Sequence, residues 1–474
     1  MGVKAKTAVG YIDEKRDLLT GLSDAIWRFA EVALHEHKSA KCLADALGAE
    51  GFSVESGAGG MPTAFVATWG SGRPVVGFLG EYDALAGISQ KTVPVQEPLV
   101  PGAPGHGCGH NLHGVAAFGA AVGLKQEMQT RGLEGTIKYF GCPAEENLSG
   151  KAFMARDGVF DGCDVCFEWH AGAINRPGTG SSLANNAANF TFYGRSAHAA
   201  GDPHNGRSAL DAVQLMNLGV EFLREHMPPR TRAHYVITNG GGQPNVVPPV
   251  AKVWYLVRAE RRQDVDELWA RIIKCANGAA EMTETRYEIE LLKAIWNVLP
   301  NPPLTDLLFD CFERVGGPWL GPAEMEFATE IAKSITPSVK QSALRRGQVP
   351  EEYWDKVYCD VVLPKPPTAD EPGGSTDVGD VSWCCPTARL RSASQVLGSP
   401  GHSWQNVAQS GMGIGHAGML AGAKVMAEAA FEFLTDPDLR ARVRAAFDRE
   451  RGGKVYSSAM PPGQRPAFHQ FADV

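Results

Sequence analysis

Gly102–His113 reads GAPGHGCGHNLH, and Val115–Leu124 follows as VAAFGAAVGL. The first stretch places a cysteine, histidines and an asparagine between glycines. The second is a run of small apolar residues of the kind that packs a helix closely against a sheet. A thiolate at Cys108 and an imidazole at His110 suit zinc or a similar divalent metal, and flanking glycines permit tight turns around an ion. Two ligands do not complete a site, so the reading depends on what the other strand-to-loop junctions carry.

Those junctions repeat the pattern. PVVGFLGEYDAL (74–85) is apolar until Glu81, Tyr82 and Asp83, which puts acidic groups at the C-terminal edge of a central strand, where ligands of α/β sheets collect. Asp83 fits a carboxylate that orients a ligating imidazole, and the plainer alternative is a strand-end loop. TAFVATWG (63–70) precedes this run, and the turn residues between the two predict a hairpin. GTIKYFGCPAEEN (135–147) supplies a strand over Ile137–Phe140, a turn, and the paired carboxylates Glu145 and Glu146. One glutamate of such a pair can bind a metal while its neighbour takes a proton from water. VCFEWHAG (165–172) then ends a further strand at His170. Each junction alone is ordinary, but their convergence on metal-binding residue types is not.

A chain of 474 residues exceeds what one core supports, so two domains are expected. With 44% hydrophobic and 21% charged residues it reads as a soluble globular enzyme. A net charge of −8, with no Lys/Arg block and no aromatic–basic stripe, argues against nucleic acid as a partner. No segment has the length of a membrane span, and the N-terminal stretch lacks a signal-peptide core, so a cytoplasmic location and no membrane association are expected. The ten cysteines are scattered, with Cys384 and Cys385 adjacent, which predicts reduced thiols rather than a disulfide framework.

Leu18, Leu22, Ile26 and Phe29 recur at helical spacing, and a second helix is expected over Ser39–Ala49. His35, Glu36 and His37 lie between them, and a polar helix–helix connection accounts for them better than a metal does. From Ala188 to Pro300 the order is strand, helix, strand, strand, helix, strand, typical of a small ferredoxin-like domain. The expected fold class is α/β: a catalytic domain with a central mixed, mostly parallel sheet flanked by helices, plus this inserted βαββαβ lid or dimerisation domain. The catalytic domain takes residues 1–187 and 301–474, and the insertion 188–300. Within the insertion, GRSAHA (194–199) and GGGQPN (240–245) present His198 and Asn245, which can bind a developing oxyanion or simply form surface turns. Glu324–Asp370, charged and Pro-rich with helical islands, reads as an irregular surface excursion, GGSTDVGDVSW as a Gly-rich loop with Asp377 and Asp380, and VLGSPGHSWQ as a loop carrying His402. The last twenty or so residues read as an extended tail.

Taken together and in order, GEYDAL, GHGCGHN, PAEE, WHAG, GRSAHA, QPNVVPP, STDVGDVSW and SPGHSW resemble the aminoacylase and glutamate-carboxypeptidase superfamily of co-catalytic metallohydrolases. The cysteine in GHGCGHN is similar to that of its amidohydrolase branch. The resemblance implies two divalent metal ions, Zn or Mn, held by Cys108, His110, Glu146, His170 and His402, with Glu145 as general base. It implies that His198 reaches across a homodimer into the neighbouring subunit's site, with Asn245 near the same oxyanion, and that Arg258 meets the substrate's carboxylate. Many relatives carry a histidine where this strand ends in Glu81-Tyr82-Asp83, and Cys108 compensates for it. His106 and His113 are left as structural or supporting residues.

Two divalent ions about 3.5–4 Å apart can hold a hydroxide between them and polarise an amide carbonyl, which addresses both the weak nucleophile and the unstable oxyanion of amide hydrolysis. The resemblance further implies that the substrate is a small-molecule amide, an N-acyl or aroyl amino acid of the p-aminobenzoyl-glutamate kind. The same fold acting on a dipeptide, another amino-acid conjugate or an aromatic amine is the nearest alternative, a non-catalytic binding subunit the more distant one, and a second, different subunit is a possible partner.

Overall fold

The structure, a computed structural model, describes residues 2–469. Helices α1 (Lys6–Glu14), α2 (Arg16–Phe29) and α3 (His37–Ala49) lead into strands β1 (Ser53–Ser56), β2 (Phe65–Ser71) and β3 (Val75–Glu81). In α2 the inward stripe is Leu19, Leu22 and Ile26, whereas Leu18 is 39% exposed, so the periodicity is helical but one of its expected members faces solvent. Next come α4 (His110–Arg131), β4 (Gly135–Cys142), α5 (Gly150–Arg156), β5 (Val165–Gly172) and β6 (Arg176–Pro177). The chain later returns to the same sheet through β11 (Thr387–Ala393).

This sheet has seven strands in the order β1-β2-β4-β3-β5-β11-β6. Its centre is parallel, β4 with β3, β3 with β5 and β5 with β11, while β1, β2 and β6 pair antiparallel at the margins. Strand β3 is buried along almost its whole length, as a strand covered by helices on both faces should be. The expected hairpin between β2 and β3 does not form. β4 lies between them, antiparallel to β2 and parallel to β3. The connecting turn arches over the start of β4, where Thr136 donates its N–H to Pro74 O (3.0 Å) and its hydroxyl to Gly72 O (2.7 Å). Local turn chemistry was right, but a third strand supplied the pairing.

The small-residue helices α4 and α13 (Gly413–Thr435) pack on the sheet. A Cβ added at Gly422 of α13 would lie 2.1 Å from the Trp169 ring on β5, so only glycine permits this approach.

A second sheet holds β7 (Ala184–Tyr193), β8 (Arg232–Asn239), β9 (Val250–Ala259) and β10 (Arg286–Ile295), all antiparallel in the order β10-β7-β9-β8. Helices α6 (Ala209–Leu223) and α7 (Arg262–Thr283) cover one face, around Phe190, Val213, Tyr255 and Ile272. This is the βαββαβ ferredoxin-like unit. Trp254 of β9 instead packs against a cluster of the larger domain, which Leu291 of β10 touches as well as the core under the helices.

After α8 (Pro302–Val315), the stretch expected to be irregular forms α9 (Pro322–Ala332) and α10 (Pro337–Arg346), which close over their own core of Phe327, Ile331, Leu344 and Tyr358. The Gly-rich loop ends at once in α11 (Val378–Cys384), and Asp377 and Asp380 are both buried. Helices α12 (Trp404–Ser410), α13 and α14 (Pro437–Arg451) follow, and residues 452–469 run on without a further helix or strand, the end of the expected tail lying outside the described residues. All ten cysteines are free thiols, and among the described residues no helix is long and apolar enough to cross a membrane.

Candidate active site

The site forms at the C-terminal ends of β3, β4 and β5, where the loops rich in Cys, His and Glu converge. Gly109 precedes the first residue of α4 with a φ of +78°, and a Cβ there would come within 2.8 Å of Ala171. That turn sets Cys108 beside β5 and puts His110 at the head of the helix. Cys108 Sγ lies 3.4 Å from His170 Nε2.

Two three-residue groups share Cys108. Cys108, His110 and His170 form one, and Cys108, Glu146 and His402 the other, with the ligand atoms of each within 4.8 Å of one another. His110, Glu145 and Glu146 form a third overlapping group. All six residues expected to do the chemistry around the metals are thus brought together.

Hydrogen bonds preset the imidazoles. His110 donates Nδ1–H to Asp83 Oδ1 (2.9 Å), and His170 donates Nδ1–H to the Ala171 carbonyl (2.8 Å). In both rings this leaves Nε2 as the nitrogen that faces the cluster and can ligate once it carries no proton. The other Asp83 oxygen accepts the backbone N–H of Glu146 at 3.0 Å, so one buried carboxylate positions both a histidine and a glutamate of the cluster.

The loops themselves are strained. Ala144, Ser149 and His402 are non-glycine residues with φ between +51° and +61°, a conformation that costs about 1–3 kcal/mol each unless its surroundings hold it. Glu36 does so for Ala144: buried between α2 and α3, it accepts the Ala144 N–H at 2.9 Å, right beside the Glu145-Glu146 pair. His35 and His37 join none of the ligand groups, in keeping with a polar helix–helix connection.

Electrostatics favour a cation. Burial, with Glu145 and Asp83 close by, pushes the Glu146 carboxyl up to about 8. Burial also raises Glu145, next to Glu81, and pushes the Cys108 thiol far up. His170 is held down to about 4 by burial, so its ring is neutral and able to ligate. Although burial opposes it, the charges of Cys108, Glu81 and Asp83 raise His110 well above the usual histidine range. His110 Nε2 and Glu146 Oε1 are buried without a hydrogen-bond partner. A thiol, imidazoles and a carboxylate aimed at one volume, with orphaned lone pairs, fit a divalent metal that would displace the protons these groups retain.

Residues that sequence reasoning left out complete the floor. Lys151 of α5 is fully buried, its Nζ 2.5 Å from Glu81 Oε1 and 2.6 Å from Asp377 Oδ1. The opposite oxygen of Glu81 lies 3.2 Å from His110 Nε2 and 3.4 Å from His113 Nε2. His113 Nε2 also approaches Glu168 (3.5 Å), which Arg389 pairs, so His113 belongs to the supporting network. His106 donates Nε2–H to the Ile26 carbonyl and is structural.

The second sheet holds the remaining expected residues. His198 and Asn245 sit on adjoining exposed loops, joined by Ala199 N–H to Asn245 O at 3.0 Å. His198 Nδ1 accepts N–H bonds from Ala200 and Gly201, so its proton is on Nε2 and available to donate. Neither residue shares a hydrogen bond or ion pair with the clustered ligands of its own chain. Arg258 lies half-buried on β9, with its Nε unpartnered.

Comparison with known proteins agrees with this layout. Residues 185–284 match the peptidase dimerisation domain of the M20 family. The chain is 41% identical to the B-type subunit of the p-aminobenzoyl-glutamate hydrolase of Escherichia coli (strain K12), over 96% of this chain and 97% of that one. It is 28% identical to the Xaa-Arg dipeptidase of Mus musculus, over 93% and 91%. A Bacillus subtilis protein described as a dinuclear metal binding peptidase from the M20 family shares its fold, with a TM-score of 0.55 at 16% identity, over 89% of this chain and 99% of that one.

Proposed function

This chain belongs to the M20 metallopeptidase family, and from that premise we propose that it is a two-metal amidohydrolase that cleaves N-acyl or N-aroyl amino acids of the p-aminobenzoyl-glutamate kind. The observation that carries this reading is the pair of ligand groups sharing Cys108, with Asp83 positioning both His110 and Glu146. Cys108, His110, Glu146, His170 and His402 hold two divalent ions, zinc or manganese. Those ions, when bound, supply Lewis-acid activation of water and of the scissile carbonyl.

The chain's own groups do the rest. Glu145, uncommitted beside Glu146, takes the proton from the attacking water and returns it to the leaving amine nitrogen. A carboxyl raised by burial suits both halves of that transfer. His198, with its proton on Nε2, and Asn245 donate to the tetrahedral oxyanion. Because both are exposed and away from their own chain's cluster, they act on the site of a second copy, in a homodimer joined through the inserted domain. Arg258 receives the carboxylate of the substrate's amino-acid half. The ten free thiols suit the reducing cytoplasm.

The test is metal content against Cys108. After reconstitution with zinc or manganese the wild type should hold two ions per chain and release p-aminobenzoate from p-aminobenzoyl-glutamate. Cys108→Ala should lose both ions or hold them only weakly. Two tightly held ions in the variant would remove the shared-ligand arrangement. Release of amino acid from an Xaa-Arg dipeptide alone would transfer the assignment to a dipeptidase.

A further inference from the structure

The turn that carries Glu145 is held at its backbone by three buried carboxyl groups, each from a different part of the chain. Glu36, between α2 and α3, accepts the N–H of Ala144 at 2.9 Å. Asp83, just past β3, accepts that of Glu146 at 3.0 Å, and Asp377, at the head of α11, accepts that of Lys151 at 2.8 Å. Asp83 also orients His110, and Asp377 is also paired with the Lys151 ammonium. Glu36 has no second task of this kind. It joins none of the ligand groups, and the proposed hydrolysis gives it no role.

Its placement is costly. Glu36 is fully buried, and its Oε2 has no hydrogen-bond partner among the described residues. Burial, with Asp83 alongside, pushes its carboxyl up to about 8, so near neutral pH it is largely an uncharged acceptor.

Ala144 is the place where such a hold has the most effect. Its φ is +61°, a conformation that its Cβ disfavours. Its carbonyl accepts the N–H groups of Leu148 (3.2 Å) and Ser149 (2.6 Å), which closes the turn. With its N–H engaged by Glu36 as well, Ala144 is fixed in both φ and ψ. The direction in which Glu145 leaves the turn follows from those two angles.

We propose that Glu36 is a positioning residue for the general base: through Ala144 it sets where the Glu145 carboxyl stands, while taking no part in ligation. This rests on the amidohydrolase reading and adds a residue to it. Asp83 governs metal affinity, whereas Glu36 governs the proton transfer alone. A reacting group displaced by about 1 Å costs on the order of 10²-fold in rate, so a single misplaced acceptor suffices.

Two substitutions separate reach from charge. Glu36→Gln keeps an acceptor oxygen at the same distance and removes the carboxyl, whereas Glu36→Asp keeps the carboxyl and draws it back by one methylene. With metal-loaded protein and p-aminobenzoyl-glutamate, Glu36→Gln should stay within about threefold of the wild-type kcat. Glu36→Asp should lose about 10–100-fold in kcat, with KM and metal content unchanged. Hydrogen exchange of the same proteins gives a readout without turnover. Amides of residues 144–149 should exchange about tenfold faster in Glu36→Asp than in the wild type or Glu36→Gln. A kcat in Glu36→Asp equal to wild type, an equal fall in both variants, or a fall that tracks lost metal overturns the proposal. A wild type inert toward every amide, with exchange still following Glu36 in this way, would sink the hydrolase reading and keep the hold of Glu36 on the turn.

Discussion

His110 donates its Nδ1–H to Asp83 Oδ1 across 2.9 Å, and that bond decides which ring nitrogen can hold a metal. The second Asp83 oxygen accepts the backbone N–H of Glu146, so the loss of one carboxylate loosens two residues of the cluster at once. Asp83→Asn should therefore lower metal affinity by about 10–100-fold while the protein stays folded. Metal retained after dialysis against graded chelator measures this, and retention equal to wild type contradicts it.

Lys151 is a buried cation between the carboxylates of Glu81 and Asp377. Taking it away leaves two like charges facing each other without water. Lys151→Met should cost about 3–5 kcal/mol in urea unfolding, and adding Asp377→Asn should recover part of the loss. Additive losses would mean that the three groups are not one network.

Burial pushes the Asp380 carboxyl up to about 7, even though the Tyr456 hydroxyl and the Trp296 N–H donate to it. A carboxyl raised in the folded state contributes stability that is complete at low pH and is lost as pH climbs through the folded value. The wild type should lose roughly 1.4 kcal/mol per pH unit on this account between about pH 4 and pH 7. Asp380→Asn, which has no charge to bury, should lose less stability over the same range. Parallel Tm-against-pH curves for the two proteins would refute the assignment.

His198→Ala should cut turnover steeply with metal content unchanged. If His198 serves the partner's site, it should also complement Glu145→Ala. Mixed and re-equilibrated variants should regain roughly a quarter of the wild-type rate, because half of the dimers are mixed and each holds one intact site. Mixtures as inactive as the separate variants would place His198 in its own chain's site or outside catalysis.

How far these features were legible in the sequence follows from their chemistry. PAEE and WHAG stand at the ends of apolar strands and GHGCGHN opens a small-residue helix, in residue types that few other tasks require together, and the fold brings them to one edge. The βαββαβ unit was equally plain, since its two periodicities alternate in order. Lys151 was not readable as a site residue, and Asp377 was read only as part of a Gly-rich loop, because a single charged residue acquires its partner only from what lies across space. The β2–β3 hairpin failed for a related reason: a turn specifies that the chain reverses, not that the two strands will touch. Likewise, the Pro-rich stretch after α8 showed its helical islands but not how they pack, because its core is assembled from distant residues.

The most direct test of the account is Glu145→Gln, assayed for both metal content and hydrolysis of p-aminobenzoyl-glutamate. Glu145 belongs to the cluster without completing either group that shares Cys108, and the proposed mechanism gives it the proton to move. The variant should keep two ions per chain and lose about 10²–10⁴-fold in kcat. Turnover equal to wild type, with the ions in place, would contradict the mechanism at its centre.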